Sequence, residues 1–286
     1  MELIIATIIN MLVLSSMYML VALGFAFLFN IMGVLNFSHG VIYMVGGYIC
    51  YQFAVEYNLN QWLSLFLSVS IIGVFGLFLE KFCFRPLFGD LNRTIVVCIG
   101  IILVLETTVN ILVGTSTRSI PAFVPGILKA GPVSLSLERL VTFLIGAVLL
   151  AAVLCFVRYT LVGLQMQAVA QNVEGAALQG VNIHRISAVA CVIASALAAL
   201  AGGLMGACLS LTPFMGGQML LKALELVILG GIGSVGGIFF AGLIVGSLDS
   251  TLPLFISGAA SEGIQLGVIV LILLFRPKGL FGYESE

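Results

Sequence analysis

Residues 3–55 read LIIATIINMLVLSSMYMLVALGFAFLFNIMGVLNFSHGVIYMVGGYICYQFAV, 53 positions without one Asp, Glu, Lys or Arg. As a continuous helix this run would measure about 80 Å. A bilayer core is roughly 30 Å thick and is crossed by about 20 mostly apolar residues. The run therefore holds two passes, or one pass and a broken or re-entrant segment. Outward from it, Tyr57–Leu79, Leu140–Val157, Ile186–Leu221 and Leu226–Leu248 are also free of charge. Thr94–Thr117 is broken only by Glu106, and Ser250–Phe275 only by Glu262. The pattern predicts an all-α polytopic membrane protein with about eight transmembrane segments, within a range of seven to nine, some of them Gly-rich and broken or re-entrant. A β-barrel would show short alternating segments, whereas these runs are apolar on every side.

Composition agrees. Hydrophobic residues make up 61% of the 286 and charged residues 8%, with a mean hydropathy of +1.25. Soluble domains carry roughly 25% charged residues, so this chain cannot cover a water-facing surface. An ordinary soluble enzyme and a disordered tail are excluded. Eleven basic against twelve acidic residues give a net charge of −1, which offers nucleic acid no attraction. The N-terminus carries Glu2 and no basic residue, so it reads as a retained first span and not as a cleavable signal. The six cysteines lie in or beside apolar runs with no Cys-x-x-Cys pair. They read as small core residues, neither disulfides nor metal ligands.

Basic residues give an orientation. Lys81, Arg85 and Arg93, then Arg158 and Arg185, then Arg276 and Lys278 mark three segments expected in the cytoplasm. Arg118, Lys129 and Arg139 then fall outside, in a loop with Pro121, Pro125 and Pro132. No stretch is polar enough for a soluble domain. We read one membrane domain, 1–286, with two pseudo-repeated halves around 1–114 and 139–286.

Each half holds one apolar stretch interrupted by polar and glycine residues. The first is Gly33-Val34-Leu35-Asn36-Phe37-Ser38-His39-Gly40; the second is Gly230-Gly231-Ile232-Gly233-Ser234-Val235-Gly236-Gly237. Discontinuous helices at corresponding places in two halves point to a transport site; isolated glycines would only let helices pack closely. On this basis Asn36, Ser38, His39, Gly40, Gly230, Gly231, Gly233, Gly236 and Gly237 are expected along the solute pathway. Asn36, Ser38 and His39 can also hold a broken backbone by bonding its freed groups. Glu106 lies midway in its span, an intramembrane carboxylate that bonds a neighbouring helix or faces the pathway. Lys222 and Glu225, at i and i+3, are placed to pair. Asp249 and Glu262 are expected at membrane edges.

Residues 158–185 form the longest polar-containing stretch. Gln165–Leu178 is expected to form one small-residue helix that stops at Gly180. Read from composition alone, it is an amphipathic connector, or a low-profile surface entering a groove on another protein.

Three motifs now carry a resemblance. Ala168-Val169-Ala170-Gln171-Asn172, Glu174, Ala176-Ala177-Leu178 and Gly180-Val181-Asn182 resemble the cytoplasmic loop of branched-chain amino acid ABC transporter permeases. Leu35-Asn36-Phe37-Ser38-His39-Gly40 with Tyr43-Met44-Val45-Gly46-Gly47-Tyr48 resembles their N-terminal signature, and Leu229–Gly237 their Gly-rich C-terminal signature. The order and chain length are similar to the shorter of the family's two permease subunits. The resemblance implies a non-catalytic importer subunit in a bacterial or archaeal cytoplasmic (inner) membrane. Its implied partners are a second related permease subunit, two cytoplasmic ABC ATPases and an extracytoplasmic solute-binding protein. The chain would need no cofactor, ATP and Mg being bound by the ATPases. Gln165, Ala168, Ala170, Gln171, Asn172, Glu174, Ala177 and Gly180 would then couple to an ATPase. The chain has no Gly-Lys-Ser/Thr, consistent with hydrolysis elsewhere, and no His-Glu-x-x-His or Gly-x-Ser-x-Gly. One departure is Val41-Ile42, where many family members have an acidic residue after His-Gly; it widens the implied solute from branched-chain to other amino acids, urea or short amides. The competing reading from the residues is a self-sufficient secondary transporter or channel for a small polar solute, motivated by the broken segments and Glu106.

Overall fold

The computed structural model describes residues 2–33, 36–130, 133–231 and 233–281. Val34, Leu35, Pro132 and Ile232, each part of a reading above, lie outside them. Among the described residues seven helical stretches are long and apolar enough to cross a membrane: Ile4–Ile31, Gln61–Leu87, Leu91–Val113, Leu137–Tyr159, Ile183–Cys208, Gly236–Leu254 and Gly258–Phe275. They contain α1 (Glu2–Met32), α3 (Gln61–Leu79), α4 (Leu91–Val113), α5 (Leu137–Tyr159), α8 (Ile183–Cys208), α10 (Val235–Thr251) and α11 (Gly258–Phe275). Two shorter buried helices join them, α2 (His39–Tyr51) and α9 (Met215–Gly230). A small pair, α6 (Leu161–Gln171) and α7 (Val173–Leu178), and a two-stranded hairpin, β1 (Ile127–Ala130) with β2 (Val133–Ser136), complete the chain.

Short polar side chains set most helix starts. Asn60 accepts from the Trp62 N–H at 2.9 Å, Asp90 from Arg93 at 3.1 Å, Asn182 from Arg185 at 3.1 Å and Ser234 from Gly237 at 3.0 Å. Each satisfies one N–H that a helix start leaves without an internal partner.

The core forms around α1, which is sheathed by α5, α8, α9 and α10. Water is not the alternative environment for a spanning helix, so close packing has to supply the cohesion. Small residues supply it here. A Cβ on Gly46 would collide with Ala199, one on Gly202 with the Tyr43 carbonyl, and one on Gly76 with Ser195. Thus α2 and α3 both lie nearly in backbone contact with α8. By contrast α4, α5 and α11 turn most of their apolar surface outward, with Ile111, Leu112, Leu274 and Phe275 among the most exposed residues. That outward apolar surface requires lipid or another membrane subunit.

Alternation of the helices sorts the loops between two ends. The turns at 80–90 and 160–182 meet at the Phe88–His184 ring contact, 6.4 Å between centroids. At the other end Arg118 and Leu211 exchange backbone bonds of 3.0 and 2.7 Å, and Trp62 packs on Phe123 at 5.0 Å. There Glu138 accepts from the Val124 N–H at 3.0 Å and holds the 114–126 loop. Two of the basic residues at the first end are already paired: Arg85 makes two bonds, 3.0 and 3.2 Å, to buried Glu80, and Arg93 lies 2.9 Å from Asp90.

Candidate functional site

The break before α2 is built by Asn36 and Ser38, both buried. Asn36 Oδ1 accepts from the Ser38 N–H at 3.1 Å and from Ser38 Oγ at 2.6 Å, and the Asn36 carbonyl accepts from the His39 N–H at 3.1 Å. Cys98 of α4 reaches the same Oδ1 at 3.5 Å. His39 is fully buried, and its Nε2 lies 3.1 Å from the Val21 carbonyl, which requires Nε2 to be the donor. Gly24 makes room for it, since a Cβ there would lie 3.0 Å from His39 Cε1. Val21 is eleven residues before the end of α1, so α2 starts about 16 Å inside that end. Asn36 Nδ2 and His39 Nδ1 have no hydrogen-bond partner among the described residues.

The first turn of α2 abuts the first turn of α9. A Cβ on Gly40 would run into the Gly216 carbonyl, and one on Gly216 would lie 2.9 Å from the Gly40 carbonyl. Two helix starts, each with free N–H groups and a positive dipole end, thus meet inside the bundle. A chamber of about 20 Å³ lies at the junction, lined by Phe37, Val41, Ile102, Glu106, Gly216 and Gly217. It has room for about one water. Glu106 therefore borders two positive helix ends, and it makes no hydrogen bond or ion pair among the described residues.

The second Gly-rich segment lies elsewhere. Gly230 is fourteen residues from Gly216 along α9, or about 21 Å. Gly231 and Gly233 have φ of 97° and 87° and turn the chain into α10, while Gly230 and Gly237 touch backbone to backbone. Gly236 is exposed, with open space where a Cβ would be. The C-terminal segment covers this turn: the Leu280 N–H donates to the Leu229 carbonyl at 2.8 Å and Phe281 to Gly230 at 3.1 Å. The structure does not bring the two broken segments together.

Sequence reasoning missed the most polar place in the bundle. Lys222 Nζ donates to Asp249 Oδ1 and to Gln265 Oε1, each at 2.9 Å, and lies 3.7 Å from Glu225 Oε2. Gln265 Nε2 donates to Glu225 Oε2 at 3.1 Å. The expected Lys222–Glu225 pair is present, as one edge of a network joining α9, α10 and α11. Asp249, expected at a membrane edge, lies two residues before the end of α10 and is partly buried against Lys222, which offsets the cost of its charge. Glu262 is exposed, yet it and Asp249 both line a cavity of about 500 Å³ between the 209–212 segment and the α10–α11 junction. The available signal was Lys222 itself, the first charge after a 36-residue apolar run.

At the opposite end the 160–182 segment folds as two helices and not as the single one expected. Asn172 caps α7, its Oδ1 accepting from the Gly175 N–H at 2.8 Å, and this breaks the helix. Gly180, with φ 84°, ends the pair as expected. Gly163, Met166, Val169 and Ala176 are buried inward. Gln165, Ala168, Ala170, Gln171, Asn172, Glu174, Ala177 and Gly180 are all exposed, beside Leu164 and Leu178.

With this geometry in place, similarity to known proteins can be weighed. Residues 7–273 match the family described as branched-chain amino acid transport system, permease component. The permease protein LivH of the high-affinity branched-chain amino acid transport system of Salmonella typhimurium is 28% identical over 288 residues, spanning 96% of this chain and 94% of the relative. BraD of Pseudomonas aeruginosa, from the system of the same description, is 29% identical over 290 residues with the same coverage. A probable LivH of Methanocaldococcus jannaschii is 22% identical over 94% of this chain and 90% of its own. In three dimensions, PsaBC from Streptococcus pneumoniae in complex with Fab has a similar fold, with a TM-score of 0.53 at 11% identity over 92% of this chain and 90% of that one. A match over nearly the whole chain, on a bundle of long apolar helices, places this protein in the permease-component family of branched-chain amino acid transport systems.

Proposed function

We propose that the chain is the membrane-spanning permease subunit of a binding-protein-dependent ABC importer for branched-chain or related amino acids. It works with a second related permease subunit, two cytoplasmic ABC ATPases and an extracytoplasmic solute-binding protein, in the cytoplasmic membrane of a bacterium or archaeon. ATP and Mg bind to the ATPases; this subunit carries the solute and performs no catalysis. The observation that carries the reading is the α6–α7 surface. Eight small or polar residues are presented outward on a ledge anchored by Met166, Val169 and Ala176, and α6 packs on both α5 and α8. A partner seated there pushes directly on two long helices.

The end bearing α6–α7 is taken as cytoplasmic because Lys81, Arg85, Arg93, Arg158 and Arg185 gather there. The 500 Å³ cavity then faces outward and receives the solute. The halves around 1–114 and 139–286 each supply one short helix, α2 and α9. The pathway continues from the cavity past Asn36–Gly40, Gly216 and Glu106, and ends towards the Gly230–Gly237 turn.

The test is reconstitution with the co-purifying subunits. Leucine, isoleucine or valine uptake should require both ATP and the binding protein. Gly180→Asp should uncouple hydrolysis from uptake, since it puts a charge on the exposed ledge and strains the positive-φ turn that ends α7. Uptake by the chain alone, driven by a solute or ion gradient without ATP, would refute the reading in favour of a secondary transporter.

A further inference from the structure

The 500 Å³ cavity has the size of a small-molecule site, and its polar wall is unevenly charged. Tyr18, Tyr43, Gln218, Lys222, Asp249 and Glu262 line it. An ammonium has three N–H donors; Lys222 gives one each to Asp249 and Gln265, and Glu225 Oε2 stands 3.7 Å away as an ion-pair partner. The Gln265 amide is occupied as well, accepting from Lys222 and donating to Glu225. The one cation lining the cavity is thus already compensated by two carboxylates. Acceptors remain: a carboxylate has room for about four bonds, Asp249 accepts from Lys222 and from the Tyr18 hydroxyl, and Glu262 makes no hydrogen bond or ion pair among the described residues. With Glu225, one ammonium stands against three carboxylates. Low-dielectric walls concentrate such a field.

We propose that this cavity is a binding station for the ammonium group of the solute, with Asp249 and Glu262 as acceptors. Lys222 is its internal counter-cation and not a carboxylate ligand. The Tyr43 hydroxyl and the Gln218 amide supply neutral donors for the other end of the solute. The station accepts α-amino acids and diamino acids, and rejects glutamate and deaminated carboxylic acids. The identification of the ligand as transported solute rests on the importer reading; the charge preference of the cavity does not.

The test uses the assembled importer with Ser210→Cys on the cavity wall, in a background carrying Cys83→Ser, Cys155→Ser and Cys208→Ser. Modification rates are compared for a cationic aminoethyl and an anionic sulfonatoethyl methanethiosulfonate, each normalised to a free thiol. The cationic reagent should be favoured by about tenfold or more. Glu262→Gln should cut that ratio severalfold; because Glu262 holds no partner, this variant does not depend on the stability of the Lys222 network. Millimolar leucine or lysine should protect the thiol, while glutamate and 4-methylpentanoate should not. A ratio near one, an anionic preference, or equal protection by 4-methylpentanoate would overturn the proposal. ATP-driven uptake in the same vesicles separates the two readings: no uptake with the ratio intact removes the importer alone, and uptake with a ratio of one removes the station alone.

Discussion

Replacing Lys222 by Met tests whether the polar network holds α9, α10 and α11 together. The side chains of Lys222, Glu225 and Asp249 are 17, 11 and 15% exposed, so solvent screens them weakly. Removing the cation strands two largely buried carboxylates, and breaking a buried pair from one side costs at most about 3–5 kcal/mol. Coulomb attraction at an effective dielectric near 20 gives about 4 kcal/mol for charges ~4 Å apart, which is consistent. At roughly 2–4 °C per kcal/mol for a chain of this size, Lys222→Met should melt about 6–20 °C lower. Unfolding can be followed in detergent with a thiol-reactive dye, since Cys50, Cys98 and Cys191 are buried and free. Lys222→Met/Asp249→Leu should recover at least half the loss, because Glu225 keeps its bond from Gln265 at 3.1 Å. A single variant within about 1 kcal/mol of wild type, or a double variant no better than the single, would show that the network does not clamp these helices.

Gly40→Ala drives a Cβ into the Gly216 backbone and should cost about 1–3 kcal/mol by overpacking; Gly100→Ala, where nothing lies within 4 Å, should stay within about 0.5 kcal/mol on the same melt. Asn36→Ala removes the acceptor that caps Ser38 and should cost about 1–2 kcal/mol, with faster amide exchange confined to the start of α2; unchanged exchange there would contradict the capping role. Leu178, 87% exposed, should tolerate Glu within about 0.5 kcal/mol in the isolated chain, yet co-purify with less ATPase; undiminished recovery would take the partner off this ledge.

The spans were legible because burying charge in lipid is costly, so 53 uncharged residues admit few readings. The polar break at Asn36–His39 was legible for the same reason. What the sequence could not convey was partnership at a distance. Gly40 and Gly230–Gly237 were both expected along one pathway because both segments look interrupted, but Gly40 packs on Gly216 and the second segment lies elsewhere. A glycine's neighbour depends on helix crossing, which local sequence does not encode. Asp249 and Glu262 looked like edge residues because each stands near the end of an apolar run. Only the fold reveals that α10 and α11 bring them to one cavity. Asn172 was read as part of a helix, although its short side chain can cap one; the choice was decided by the turn that α7 makes back to α8.

The same contacts say which parts can move. The chamber at the α2–α9 junction has room for about one water, far less than an amino acid, so the proposed pathway is closed in this conformation. Separating α2 from α9 or α8 would break backbone contacts at Gly40, Gly46 and Gly202, where no side chain intervenes to relax. Helix α4 is held more lightly. It packs chiefly on α2 and the turns after α3, shares the Cys98–Asn36 contact of 3.5 Å with the break, and carries Glu106 on the chamber wall. Packed backbones resist graded deformation, so the least disruptive widening moves α4 outward and leaves α2, α8 and α9 as a fixed frame. That motion would take a carboxylate away from two helix starts and leave their N–H groups free for the carboxylate of a solute.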